Sequence, residues 1–560
     1  MPGPLIRLFH NPFIAAEMII ATLIANLLAL AVPIFVMQVL GRYIIHGVDT
    51  TLWTLSTGAI IAILFEFAFR QIRGCLASRA TSPIDKSASI NLFNSALVSQ
   101  AHIFAQLSNE GRREALTSSE KSRTAYSGPN LCAILDAPFA LIFLGAVFVL
   151  HAKLGIITTL FIVSLLFTNY VAILSFRVPQ RKITAAAIQQ GELVSSALVD
   201  VDTIRTFNAG NHLLQMWQTI STRLEGQYDK ITNRQNILQN LTIAIPAVMS
   251  VSIIGIGATF VVAGQLDVNV LIGINILAAR ACGPIARLAS LVQIFSKARQ
   301  TENIAGDILR LKNERKKGSA IDKLTGKIQF CDIALTYPNS VQPLFESLDL
   351  ELLPGSVLAV IGPNGSGKTS FVRMLTGLLP PTRGQILIDG VNLHQLVPEW
   401  WRSQVAYVPQ EPRFLPGTIR QNITLLSDDS STESLNDAIR SAGLRAFIDQ
   451  SSDGIDAPIK AGGRELPLGI RRRLALARAL LANGKILIVD EPTEGMDSEG
   501  AMAVYNIMNR FSNQNSTVIA CSHDPNILKG ADWVIDLKKK PSPKMTRLKQ
   551  SVVGREYEPK

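Results

Sequence analysis

Six apolar runs, each long enough to cross a lipid bilayer, constrain this chain more than any other feature. They occur at about 13–40, 52–69, 131–150, 154–176 and 241–264, with a weaker one at about 268–295. At about 1.5 Å per residue, each covers roughly the 30 Å hydrocarbon core of a membrane as a helix. The first run is too long for a signal-peptide core and lacks an A-x-A-like cleavage site, so it reads as a retained first span.

Charge separates two halves and orients the first. Only 17% of the 560 residues are charged, against about 25% in a typical soluble domain. Residues 1–320 hold 27 Lys/Arg and 17 Asp/Glu, whereas residues 321–560 hold 27 and 26. A nucleic-acid binder concentrates its basic residues on its soluble part. Here the excess lies in the apolar half, so membrane topology explains it and no nucleic-acid partner is expected. Arg70–Asn130 carries eight Lys/Arg and Arg177–Asn240 carries seven, while the other connections carry Arg42, Lys153 and none. The positive-inside rule places both long segments and both ends of the six-span unit in the cytoplasm. The long segments are polar and helix-compatible. They suit extensions of spans two to five reaching a soluble domain, with disordered loops as the alternative. Cys75, Cys132, Cys282, Cys331 and Cys521 are scattered without CxxC spacing, which excludes a disulfide framework.

After a charged linker at 310–325, short β-branched runs alternate with helical patterns, the signature of an α/β domain. VLAVIGPNGSGKTS reads as a buried strand, a glycine-rich turn and a helix start. Gly362, Pro363, Asn364, Gly365, Ser366, Gly367, Lys368 and Thr369 match G-x-x-x-x-G-K-T, with Ser370 next. Such a loop curls backbone N–H groups around phosphates at a helix N-terminus. Lys368 would reach the terminal phosphates of ATP, and the Thr369 hydroxyl would ligate Mg²⁺. KILIVDE ends an apolar strand in two acids, Asp490 suited to the metal and Glu491 to the attacking water.

These residues resemble the nucleotide-binding domain of an ABC transporter from about 326 to 537. The resemblance implies a six-span α-helical membrane domain (1–309), then an α/β P-loop, RecA-like domain (326–537) with helical and antiparallel β subdomains, and a solvated basic tail (538–560). It makes Tyr337 the aromatic that stacks on adenine and Gln410 the Q-loop residue that contacts Mg²⁺. Asp497 becomes the D-loop aspartate and His523 the switch histidine. GTIRQNI at 417–423 stands after the Q-loop as in exporters. VPIFVMQVLGRYIIHGVDTTLW, LDAPFALIFLGAVFVLHAKLG and GPIARLASLVQIFSKARQ are similar to type I secretion permease/ATPases, within which the short N-terminus resembles metalloprotease and adhesin exporters. That likeness implies an inner-membrane dimer, of two copies or with a paralogous half-transporter. Its cargo would be an exported polypeptide, and its partners a periplasmic membrane-fusion adaptor, a TolC-like outer-membrane channel and membrane lipid. Export of a lipid, glycan or small amphiphile shares the same ATPase motifs.

One motif departs from the family. Where LSGGQ is the rule, this chain has Leu466, Pro467, Leu468, Gly469 and Ile470. Proline is tolerated in a first helical turn, but the serine hydroxyl and the glutamine amide are lost. Hydrogen bonds to charged groups contribute about 1.5–3 kcal/mol each, so a working but slow ATPase is expected. A heterodimer subunit or a nucleotide-gated scaffold is the alternative. Arg471, Arg472 and Arg473 read as a basic helix face, or as electrostatic compensation for the lost donors. In the membrane half, Glu66, Asp136 and Arg280 lie roughly 18–22 Å below the outer ends of their spans. Charges at that depth face a cavity or each other, so Arg280 is expected to line a cavity and to pair with Glu66 or Asp136. Local pairing of Glu66 with Arg70 is the alternative.

Overall fold

The structure, a computed structural model, describes residues 11–337, 340, 342–425, 431–482 and 484–548. It divides into two compact units, Met1–Ser99 with Ile103–Lys312, and Gln100–His102 with Asn313–Lys560.

Among the described residues of the first unit, six helices are long and apolar enough to cross a membrane: Pro12–Tyr43, Asp49–Val98, Gly128–Leu150, Ala152–Ser175, Gly210–Val262 and Val268–Leu309. Helices satisfy every backbone polar group internally, which hydrocarbon demands. Phe143, Val147, Leu154, Leu165, Met249 and Ile274 pack inward, while Val149, Leu160, Val251 and Val262 stay largely exposed, as a lipid-facing surface requires. The helices Asp49–Val98, Ala152–Val199 and Gly210–Val262 run unbroken for 50, 48 and 53 residues. The polar segments therefore continue spans two, four and five as helix. Span three differs from the expectation. It is a 23-residue helix preceded by the short helices Asn109–Leu116 and Ser118–Ala125. Ser127 is extended and Pro129 occupies the first turn, where a missing N–H costs nothing, so the helix has to begin there.

The charged tier departs from the cavity expectation for Asp136 and Arg280 and follows the local alternative for Glu66. Asp136 is 2% exposed, and both its oxygens accept hydrogen bonds from Arg73, the Nη2 bond at 3.3 Å. Asn26 Nδ2 adds a contact at 3.5 Å. Glu66 accepts from Arg70 Nε at 2.9 Å, one turn away. Arg280 pairs with neither acid, and Asp136 is sealed in the bundle, not open to a cavity. Arg73 stands seven residues after Glu66 on the same helix face, and that helix packs against Gly128–Leu150. The buried carboxylate therefore meets its cation on the neighbouring helix.

In the second unit, β1 (Ile328–Leu335), β2 (Phe345–Leu352), β4 (Arg383–Ile388) and β5 (Val391–Asn392) form an antiparallel sheet in the order β2-β1-β4-β5. A short antiparallel pair joins β7 (Gly417–Thr418) and β8 (Pro458–Ile459). The remaining strands, β3 (Val357–Ile361), β6 (Val405–Val408), β9 (Ile486–Asp490), β10 (Thr517–Cys521), β11 (Trp533–Asp536) and β12 (Lys544–Arg547), form a sheet in the order β12-β11-β3-β10-β9-β6. All its pairs are parallel except β11–β12. The strands β3, β6, β9 and β10 are covered on both faces and are therefore largely apolar. Val357, Ala359, Leu487, Val489, Val518 and Ala520 enter one core; Leu358, Val360, Ile486, Ile488, Ile519 and Cys521 enter the other.

The linker and part of the tail expected to be solvated are structured. In the linker, Glu314 pairs with Arg402 at 2.7 Å, and the Ser319 backbone bonds to Gln395 and Val397. In the tail, β12 pairs with β11, and Met545 packs on the core beside the sheet edge. The rest of the tail, from residue 549, lies outside the described residues.

Removing one member of a buried ion pair costs about 3–5 kcal/mol, whereas replacing both with apolar groups is often neutral. Asp136→Leu is therefore expected to lower the melting temperature in detergent sharply, and Arg73→Met in the same chain to recover most of it. A double variant as unstable as the single would contradict the pairing.

Candidate active site

The loop between β3 and the helix Lys368–Leu375 is built on backbone that only glycine adopts freely. Gly362 has φ 153° and Gly367 φ 112°. A Cβ at Gly367 would lie 2.7 Å from Leu344 Cδ2. The loop turns Lys368 back on itself, so that Nζ donates to Gly362 O at 2.7 Å. The same ammonium meets Glu491 Oε1 at 2.9 Å and His523 Nε2 at 2.8 Å. Its three donors are thus all engaged, although the residue is buried. Accepting from an ammonium puts the imidazole proton on Nδ1.

Glu491 reaches Lys368 through an unusual backbone. Its φ is +45°, while its N–H still continues the sheet to Cys521 O at 2.8 Å. A left-handed non-glycine residue at the end of a buried strand stores strain of the kind found at functional sites. The turn re-aims the carboxylate toward the loop.

Next to it, Asp490 is 1% exposed. Its Oδ2 accepts from Thr369 Oγ1 at 3.1 Å, and its Oδ1 has no partner among the described residues. Burial pushes this carboxyl above its ordinary value; the Thr369 bond opposes that shift and the Glu491 charge adds to it. An orphaned carboxylate oxygen beside a hydroxyl fits Mg²⁺, which takes one or two protein oxygens and completes its shell with phosphate and water. Among the described residues, no group of three His, Cys, Asp or Glu converges as a self-sufficient metal site.

The remaining expected residues fall into two groups. Tyr337 lies beside the loop, its hydroxyl 2.9 Å from Ser370 Oγ and its side chain exposed. Pro363 O accepts from Ser366 N at 3.0 Å, and the buried Ser366 Oγ is unpartnered among the described residues, available to a phosphate oxygen. Asn364 and Gly365 form the exposed crest of the loop. Gln410 leaves the sheet just after β6, but its Nε2 donates to Glu494 Oε2 at 3.3 Å. The second group centres on the helix Leu468–Ala482, which begins as the proline predicts: Pro467 O accepts from Arg471 N at 3.0 Å. Leu466, Leu468, Gly469 and Ile470 surround that start, half-buried. Asp497 caps the helix Ser498–Asn513 through Gly500 N and pairs with Arg473 Nη2 at 2.6 Å. The Gly500 N–H and the Arg473 cation hold its carboxyl below the ordinary range.

Two of the three arginines are structural. Arg472 is 2% exposed and directed at Gln410 O and Glu494; Arg473 donates to Gly443 O as well as to Asp497. Neither forms a free basic face. Sequence reasoning misses Glu494, whose signal is a third acid close behind the strand in DEPTEGMD.

Residues 345–494 match the family described as ABC transporter, and residues 15–284 match the ABC transporter transmembrane region. The alpha-hemolysin translocation ATP-binding protein HlyB of Escherichia coli O157:H7 is 30% identical over 534 residues, covering 93% of this chain and 74% of that protein. The chain belongs to the ABC transporter family. The leukotoxin translocation ATP-binding protein LktB of Mannheimia glucosida is 28% identical to the transporter with the same coverage. In fold, the transporter is similar to a bacterial Atm1-family ABC exporter with ATP bound, at TM-score 0.81 and 18% identity, over 96% of this chain and 95% of that one. The transporter is thus a multi-pass, ATP-driven ABC exporter with a type of site that handles ATP.

Asp490→Asn removes a buried charge that has only one hydrogen-bond donor. The melting temperature of the nucleotide-free transporter is expected to hold or rise, while the upshift given by Mg²⁺ and ATP disappears. A lower nucleotide-free melting temperature with the upshift intact would contradict this role for Asp490.

Proposed function

We propose that this transporter is the ATPase and permease of a type I protein secretion system, dimeric in the bacterial inner membrane with its ATPase unit in the cytoplasm. The observation that carries the reading is similarity to two toxin translocation proteins that extends through both the membrane and ATPase units. The relatives are named for alpha-hemolysin and leukotoxin, so the cargo class is a polypeptide. A periplasmic adaptor and a TolC-like outer channel are the partners such a system needs.

ATP would lie with its adenine on Tyr337 and its phosphates on Gly362–Ser370. The phosphates would take over the Lys368 donors now held by Glu491 and His523. Thr369, Asp490 and Gln410 would hold Mg²⁺, which neutralises developing phosphate charge when bound. Glu491, released from Lys368, is then the base or orienting group for water. His523 would donate to the γ-phosphate once its imidazole turns. Leu466–Ile470 and Asp497 would complete the site of a second subunit. The helix start and the backbone N–H groups of Leu468, Gly469 and Ile470 would remain, without the serine hydroxyl, the N–H lost at Pro467 and the glutamine amide.

A second reading, a weakly hydrolysing subunit of a heterodimer, is favoured by Pro467 alone. Restoring the donors separates the two. Pro467→Ser with Leu468→Gly and Ile470→Gln is expected to raise steady-state turnover of the reconstituted chain roughly tenfold, the equivalent of one charge-assisted hydrogen bond. A C-terminal secretion-signal peptide is expected to stimulate turnover further. No change with the restored motif would point to the heterodimer subunit, and stimulation by lipid or glycan but not peptide would contradict protein export.

A further inference from the structure

We propose that Glu494, anchored by Arg472, is a positioning residue that orients the Gln410 carboxamide toward magnesium. This rests on the reading of Gln410 as a metal contact.

Gln410 lies just after β6, whose Val408 pairs with Val489 of β9, so it emerges at the same sheet end as Asp490. It is held twice. Arg472 Nε and Nη2 donate to its backbone oxygen at 3.3 and 3.2 Å, and its side-chain Nε2 donates to Glu494 Oε2 at 3.3 Å. Arg472 Nη2 closes the ring on that same carboxylate oxygen at 3.4 Å. Three elements meet here: the segment after β6, the helix Leu468–Ala482 and the turn after β9. Arg472 is almost wholly buried whereas the Glu494 side chain is 61% exposed, so the ring is anchored from its arginine side.

The chemistry comes from the two ends of a primary amide. With Nε2 committed to Glu494, the Oε1 end is left as the free acceptor, and Mg²⁺ binds oxygen alone. A carboxylate behind a metal ligand fixes its orientation and raises its basicity, and losing such a partner typically weakens metal binding 10–100-fold. Arg472 supplies the opposite charge that keeps Glu494 in place.

The test is an Mg²⁺ titration of equilibrium binding of a fluorescent ATP analogue to the full-length reconstituted transporter, with Glu491→Gln throughout to block hydrolysis. Glu494→Ala is expected to raise the half-saturating Mg²⁺ concentration about tenfold, leaving affinity for the metal-free nucleotide unchanged. Glu494→Gln, which retains an acceptor oxygen, is expected to preserve most of the parent behaviour. With Gln410→Ala already present, Glu494→Ala should add nothing. An unshifted titration in Glu494→Ala, or an equal shift with and without Gln410, overturns the inference and leaves the site reading intact. A parent that binds the analogue without any Mg²⁺ dependence removes the metal reading, and this inference with it.

Discussion

The ammonium of Lys368 is the contact around which the ATPase unit is arranged. A buried cation is tolerable only when its donors are satisfied, and here Gly362 O, Glu491 and His523 take all three. Those partners come from β3's glycine loop, from the turn after β9 and from the end of β10, three adjacent strands of one parallel sheet. The sheet order therefore assembles the site, because neighbouring strands deliver their C-terminal ends to one place. Two of the three partners are also the groups assigned to water activation and γ-phosphate sensing. Glu491 offsets the charge of the lysine and His523 takes its remaining donor; in the proposed mechanism phosphate takes their places.

A second group of interactions joins the helix Leu468–Ala482 to the loops around it. Arg473 ties that helix to Asp497 and Gly443, and Arg472 ties it to Gln410 and Glu494. The departures from the family motif thus sit on a helix whose other side is firmly built into the core, with Leu474, Leu476 and Ala477 fully buried. What has changed at Pro467, Leu468 and Ile470 is the set of side-chain and backbone donors, while the helix start itself is preserved. An intact scaffold with fewer donors is the physical consequence.

Much of this is legible in the sequence, for reasons that differ by residue. The six spans can be read because hydrocarbon admits only long apolar helices. The nucleotide loop can be read because positive φ and close approach leave glycine little competition at Gly362 and Gly367. The pairing of Asp136 is not legible: the sequence shows depth along a span but not which helix lies alongside, and Arg73 falls among the charges that orient the cytoplasmic side. Span three's short helix is signalled by Gly128-Pro129, yet extension of its neighbours suggests otherwise. β12 is hidden by its basic composition: Lys544 and Thr546 share the outer face of an edge strand, while on the side of Met545 the Arg547 guanidinium lies over the Trp533 ring. Arg472 reads as surface charge because three consecutive arginines obscure which one the helix turns inward.

In the proposed mechanism this chain alone hydrolyses ATP at the Lys368–Asp490–Glu491 site despite its altered signature. The decisive comparison is steady-state ATP hydrolysis by the purified chain in lipid against that of Glu491→Gln. Slow but measurable turnover that the substitution abolishes is the expected result. Turnover indistinguishable between the two proteins would contradict it.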